Sequence, residues 1–329
     1  MDNRNQRKIV SILNILNEAE SPLGGTKIAQ KIQNFGFDLS QRTIRNYLKK
    51  LDQEGLTQNL GKRGRKITAK GKGELKSAFV INKVGFIASK IDTLAYQMDF
   101  SLRKQKGRII LNLSSMHKQY FYKANQQIQK VFHADMGMGR FLAIGLPGAR
   151  MGDIQIEEDK VVIGTICSVT LNGIFLNEGI HVTSRFGGLL ELAHRVPLRF
   201  TEIINYDGTS IDPLEIFIKG GMTDVQQVVR TGNGRIGASF REFPGVALPK
   251  VENIKKRLDR IGLGGILMIG KPGRPLLEIP VSEGRVGMIV SGGLNPLAAV
   301  EEVGIATENT AMKTLFQFDQ LIPYWEVKV

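Results

Sequence analysis

Residues 164–188 read GTICSVTLNGIFLNEGIHVTSRFGG, and the frame of this stretch is written twice in the chain. β-Branched residues alternate with small polar ones before Asn172, the pattern of a strand that ends in a loop. A related frame returns over 287–304, and comparing the chain with itself extends the match. Gly107-Arg108-Ile109 recurs as Gly234-Arg235-Ile236. Upstream of it, Met98, Leu102 and Arg103 align with Val225, Val229 and Arg230. FLAIGLPG (141–148) answers ILMIGKPG (266–273). Segments 154–156 and 160–168 answer 279–281 and 285–291, and Leu171-Asn172-Gly173 answers Leu294-Asn295-Pro296. The offset drifts only from 127 to 123. Each copy reads as helix, strand, helix, strand, β-hairpin and helix. The simplest assembly packs two mixed α/β halves, about 85–205 and 219–329, around a pseudo-two-fold axis. The turn-rich segment 198–221 joins them and is placed to cover a pocket.

The copies differ where chemistry would sit. Cys167, Ser168 and Thr170 in the first face a Val-Ser-Gly-Gly run in the second, and the first alone carries His181, Thr183 and Arg185 before Gly187 and Gly188. Hydroxyls, a thiol and an imidazole beside a guanidinium suit a small anion, because Arg grips a carboxylate bidentately and nearby backbone N–H groups add donors. Thr209 and Ser210 of the connecting segment are added to this effector set. Arg185 has a second reading, a structural salt bridge between the halves. A catalytic Cys167–His181 pair lacks a group to orient the imidazole, and a lone Cys among Val and Ile is usually a buried small hydrophobe. GLPG and GKPG lack the Lys-Ser/Thr of a P-loop, and the glycines at 137 and 139 precede a strand rather than follow one. Asp153, Glu157, Glu158 and Asp159 read as a solvated turn. No enzyme is expected.

Composition narrows the setting. The chain has 329 residues with a net charge of +14, distributed unevenly. Residues 1–80 hold 16 Lys/Arg against 7 Asp/Glu, 81–130 hold 9 against 2, and the remainder 20 against 22. A polyanion partner at the basic end follows from counterion release. One cysteine excludes a disulfide framework and fits a reducing cytoplasm. Histidines 117, 133, 181 and 194 share no ligand spacing, so neither metal nor cofactor is expected. No apolar run is long enough for a membrane span, and MDNRNQRK has no signal-peptide core.

The order of elements in the first 79 residues specifies the polyanion. Ile9, Ile12, Leu13 and Leu16 form a helical stripe, broken at 21–25. Thr26 is placed to cap a second helix with Ile28, Ile32 and Phe35 inward, stopping at Gly36. After Asp38, Ser40 is a good N-cap for a third helix with Ile44, Leu48 and Leu51 inward. Gln41, Arg42, Thr43, Arg45, Asn46 and Lys49 lie outward. Two short strands around Lys62, Arg63 and Arg65 make a wing. Thr68 then starts a basic helix that Gly71 and Gly73 weaken. A winged helix-turn-helix is expected over 1–79 and an effector-binding and dimerisation domain over 80–329. Residues 79–83 lead into the next domain, with no Pro- or Ser-rich linker between the two. The third helix would read base edges of double-stranded DNA, with Ser40, Gln41, Arg42, Thr43, Arg45, Asn46 and Lys49 as its set. The wing cations would hold phosphates.

The stretches GTICSVTLNGIFLNEGI (164–180), SRFGGLLEL (184–192) and YDGTSIDPLEIFI (206–218), behind a winged helix, resemble the NrpR family of archaeal nitrogen-regulatory repressors. The resemblance covers almost the whole chain. It implies a cytoplasmic, homodimeric repressor of nitrogen-assimilation genes that binds a palindromic operator and is released by 2-oxoglutarate. Some members carry two regulatory domains, which leaves room for a partner chain supplying more. The residue chemistry alone leaves a nucleotide, an amino acid or another dicarboxylate open as effector. Taken together the chain is expected to be α+β, a winged helix followed by a duplicated mixed α/β domain.

Overall fold

A computed structural model describes residues 3–19, 21–33, 37, 39–75, 87–152 and 154–327. Expectations for Phe35, Gly36, Asp38, Asp153 and the segment at 79–83 lie outside the described residues. The chain divides into two compact units, Met1–Gly85 and Phe86–Val329. No helix among the described residues is long and apolar enough to cross a membrane.

The first unit is a winged helix. Helices α1 (Asn3–Asn17), α2 (Gly25–Ile32) and α3 (Gln41–Gln53) precede strands β1 (Thr57–Asn59) and β2 (Arg65–Ile67). Ile12, Leu13, Leu16, Ile28, Ile32, Ile44, Leu48 and Leu51 are buried together, so the helical stripes set the packing. Ser40 caps α3 by accepting from the Thr43 N–H at 3.2 Å. Thr26 does not cap α2, which starts one residue earlier behind Gly24; its hydroxyl accepts from Gln41 instead. Leu23 and Arg65 exchange both backbone hydrogen bonds, adding a third short segment to the wing. Gly64 (φ +101°) is needed there, because a Cβ would lie 2.5 Å from the Leu23 carbonyl. Residues 69–75 are helical with Gly71 inside the run, where close packing leaves no room for a side chain. Its missing Cβ would fall 2.1 Å from Leu56 O, while Thr68 Oγ1 accepts from the Gly71 N–H at 3.0 Å.

The second unit is a duplication with exchanged strands. Its first half runs α4 (Ile87–Gln97), β3 (Arg108–His117), α5 (Phe121–His133), β4 (Phe141–Gly145), a small hairpin β5–β6 (Arg150–Met151, Ile154–Gln155), β7 (Lys160–Ile166), α6 (Thr170–Asn177) and β8 (Thr183–Ala193). An added strand β9 (Val196–Asn205) and helix α7 (Pro213–Lys219) connect to the second half. That half runs α8 (Val225–Thr231), β10 (Gly234–Pro244), α9 (Leu248–Arg260), β11 (Ile266–Ile269), β12 (Arg285–Ser291), α10 (Asn295–Glu302) and β13 (Glu308–Gln317), with β14 (Ile322–Pro323) closing the chain. The two five-stranded antiparallel sheets have orders β13-β3-β7-β4-β14 and β11-β12-β10-β8-β9. Each half therefore sends its last strand into the sheet of the other.

Two details of the repeat differ from the sequence alignment. Residues 98–103 lie beyond the end of α4, whereas Val225 to Arg230 are α8 itself, so those blocks are not equivalent. Asn295 answers Thr170, not Asn172. Each is the first residue of its helix, and each bridges both the N–H and the C=O of one central-strand residue. Thr170 Oγ1 bonds Ile110 N and O at 3.1 Å; Asn295 bonds Gly237 N at 2.9 Å and O at 3.0 Å. The expected second hairpin strand at 279–281 reduces to a bridge between Leu276 and Ile279.

Candidate functional site

The expected effector residues scatter when placed on this frame. Arg185 is the extra residue of a bulge in β8, where Ser184 and Phe186 pair with successive residues Arg241 and Phe240. A bulge re-aims its side chain. The guanidinium donates to Glu242 Oε1 at 2.6 Å and to Pro280 O at 2.7 Å. Arg285 adds a second cation to Glu242 and donates to Thr183 Oγ1 at 3.0 Å. Burial works against the Glu242 carboxylate, but hydrogen bonds from Ser282 and Arg185 hold its pKa below the usual range. The equivalent place in the other sheet holds Lys160, Glu308 and Ser115. Arg185 and Thr183 thus belong to an ion-pair cluster between the halves.

Other members of the set are also occupied. Thr170 is the brace described above. Gly187 makes room for Pro213, whose Cβ would stand 2.8 Å from an added methyl; Gly188 admits the Glu202 carbonyl at 2.5 Å. Thr209 Oγ1 donates to Ile211 O at 3.0 Å in a local turn, and Ser210 is exposed. His181 is exposed and shares no hydrogen bond with Cys167. Burial pushes the Cys167 thiol up to about 12, so it is a protonated, unreactive group at neutral pH.

Cys167 and Ser168 remain, and they meet a residue that the sequence reading missed. Arg241, on β10 of the second half, is fully buried. Its Nη1 donates to Ser168 O at 2.8 Å and to Asn172 Oδ1, and its Nη2 to Ser168 Oγ at 2.8 Å. Nε is buried with no hydrogen-bond partner, and the guanidinium enters no salt bridge among the described residues. Burial lowers its pKa, opposed by Tyr206, Cys167 and Asp212 nearby, but an arginine stays charged. Tyr206 is buried beside it, its hydroxyl pushed upward by burial. Asp212 caps α7 by accepting from Leu214 N at 2.9 Å; burial and then Glu215 raise its carboxyl to about 6. Three hydrogen bonds satisfy part of the guanidinium, but no carboxylate is bonded to it among the described residues, and charge-assisted bonds to a carboxylate are the stronger kind. A ligand carboxylate would supply them.

The repeat carried a usable signal for Arg241. At the β3–β10 offset of 127 it stands opposite Ser114, inside an apolar run where both central strands turn polar. A charge at a position that its twin fills with serine is a departure of the same kind as Arg185.

On the first unit, Gln41, Arg42, Arg45, Asn46 and Lys49 are exposed on α3, and Lys62 and Arg63 are exposed at the wing tip. This face offers bidentate donors and acceptors for base edges with cations beside them. Ser40 and Thr43 are committed to the cap. Arg65 is bound to Asp52 at 2.8 Å, and Asp52 also accepts from Thr57 at 2.6 Å, so Arg65 braces the wing on α3 rather than facing outward.

Residues 84–322 match the family model for NrpR regulatory domains NRD1 and 2, and residues 10–75 match that for the ribonuclease R winged-helix domain. The global nitrogen regulator NrpRI of Methanosarcina mazei is 32% identical over 321 residues, covering 98% of this chain and 99% of that protein. NrpR of Methanococcus maripaludis is 31% identical over 306 residues; the match covers 93% of this chain but 53% of that protein. A crystal structure of a nitrogen repressor-like protein from Methanococcus jannaschii superposes with a TM-score of 0.62 at 30% identity, over 73% of this chain and 99% of the other. These relatives are regulators, not enzymes. A winged helix, a duplicated regulatory unit and this similarity over nearly its full length place the chain in the NrpR family.

Proposed function

We propose that the chain is a cytoplasmic transcriptional repressor of nitrogen-assimilation genes, and that 2-oxoglutarate releases it from DNA by binding beside Arg241. A homodimer would present two winged helices to the half-sites of a palindromic operator, about one helical turn apart. The observation that carries the effector reading is the buried Arg241, whose Nε has no hydrogen-bond partner and whose guanidinium has no ion-paired carboxylate among the described residues. Ser168 and Asn172 supply polar contacts to it, Tyr206 lies buried nearby, and the neutral Cys167 thiol adds no competing charge. Because Arg241 comes from one half and Ser168 and Asn172 from the other, a ligand held there ties the halves together. An effector changes operator affinity only by its preference for one state, typically about 5- to 150-fold, and the coupling is reciprocal.

The test is isothermal titration of the full chain with 2-oxoglutarate, comparing Arg241→Met with Arg185→Met. Binding should be lost in Arg241→Met and kept in Arg185→Met, with thermal melts showing both folded. Wild-type affinity in a folded Arg241→Met would remove the site, and no binding to the wild type would remove the effector. Asp212 supports a second reading. A buried carboxylate near a buried guanidinium also suits an α-amino acid, whose ammonium and carboxylate would meet Asp212 and Arg241 respectively.

A further inference from the structure

We propose that the second unit carries a separate anion site, for a phosphate-bearing small molecule of nucleotide size. It lies in a cleft of about 740 Å³, within the usual span of ligand pockets, about 300–1,000 Å³. Lys130 and His133 of α5 and Arg195 of the β8–β9 turn bring three basic side chains to its wall, and among the described residues no Asp or Glu lines it. Gln126 and Gln129 add amide groups, and the Tyr324 ring, stacked on Phe132 at 5.4 Å, adds an aromatic wall. None of these residues belongs to the Arg241 cluster.

The basic groups are not consumed by the fold. Arg195 enters no ion pair and no side-chain hydrogen bond among the described residues, and Lys130 reaches only the Gln127 amide at 3.3 Å. The repeat supplies a contrast. At the α5–α9 offset of 127, Lys130 corresponds to Arg257, and Arg257 is neutralised by Glu178 at 3.8 Å.

The backbone singles out Arg195. His194 and Arg195 have φ of +51° and +65°, the left-handed pair of a two-residue hairpin turn. Such turns favour Asn-Gly, since side chains there carry steric strain. The strain is held in place by the neighbouring loop. Arg195 N–H donates to Gly232 O at 2.8 Å and His194 N–H to Asn233 Oδ1 at 2.9 Å. Gly232 itself clears the way, because a Cβ there would meet Arg195 Cγ at 3.2 Å. An arginine kept where the backbone favours glycine, and aimed into a cleft with two other basic groups, is strain retained for a ligand.

Titration calorimetry of the full chain with ATP and with tripolyphosphate tests this, using wild type, Arg195→Gly and Arg241→Met. Wild type should bind ATP saturably and tripolyphosphate more weakly. Arg195→Gly should weaken ATP at least tenfold while melting no lower than wild type, since glycine relaxes the turn. It should leave 2-oxoglutarate binding unchanged, and Arg241→Met should leave ATP binding unchanged. The proposal is overturned if neither phosphate compound gives saturable heat at millimolar concentration, or if Arg195→Gly binds ATP like wild type. It is also overturned if 2-oxoglutarate competes with ATP, which would make the cleft the effector site. Loss of non-operator duplex binding in Arg195→Gly with ATP inert would assign the cleft to nucleic-acid phosphates instead.

Discussion

Asp212 is the residue through which pH reaches the Arg241 cluster. Burial, then the Glu215 charge, raises its carboxyl to about 6 from 3.8, against the pull of Lys90. A raised folded-state pKa means the fold binds this proton more tightly than the unfolded chain does. Its stability contribution is therefore full below about pH 4 and is lost as pH rises through about 6, by up to about 3 kcal/mol at about 1.4 kcal/mol per pKa unit. Asp212→Asn should flatten that part of the stability–pH curve in denaturant melts at pH 4–8. The same titration separates the two effector readings. A dianion should bind more tightly as Asp212 loses its charge below pH 6, whereas an amino acid should bind less tightly. A 2-oxoglutarate affinity that is flat from pH 5 to 8 would place Asp212 outside the site. At this scale the sequence was half legible. Cys167 and Ser168 sit at the cluster, but Arg241 is brought to them across 73 residues by strand pairing, and no local pattern announces that. Of the two readings of Arg185, its geometry shows the ion pair between the halves, because a bulge turns it toward Glu242, and bulges leave no dependable mark in a single sequence.

Among the elements, α3 and the wing tip both present exposed polar and basic side chains, and the proposed DNA contacts can be told apart by mutation. Lys62→Ala with Arg63→Ala should weaken operator and non-operator DNA alike and lower the salt slope of log K by roughly 2, about 0.9 per lost phosphate contact. Arg45→Ala or Asn46→Ala should instead relax base preference, by about 1–3 kcal/mol at the contacted position. Equal losses on all sequences for the α3 variants would mean that α3 holds phosphate only. Arg65→Ala belongs to a third class. It removes a partly buried tie to Asp52, so about 1 kcal/mol of stability should go, with DNA binding weakened only as the wing loosens. Gly71→Ala should cost more, about 1–3 kcal/mol, because Leu56 O occupies the place of the new methyl. The helices of this unit were readable from their apolar spacing and from the Ser40 cap. Gly71 was not, since a glycine that serves packing looks in sequence like a glycine that breaks a helix.

For the regulatory unit as a whole, the duplication was visible in the sequence while the exchange of strands was not. Repeats record which segments are alike, but pairing partners depend on which edge each last strand reaches. Thr310 pairs with Leu113, and β8 pairs with β10, so each sheet is completed only by the other half. β3 is buried along most of its length and would be left with a bare edge in the first half alone. Unpaired backbone groups on a buried strand are expensive, so neither half should hold its fold in isolation. Such long-range pairing also makes folding slow. Fragments 87–218 and 219–329, produced separately, should show no cooperative melt and should expose apolar surface to a fluorescent dye. Mixed at equal concentration, they should recover a single cooperative transition and the near-ultraviolet signal of the intact unit. A cooperative melt from 87–218 alone would mean that β3 tolerates the loss of β13, and that the halves are independent domains rather than one interlocked body.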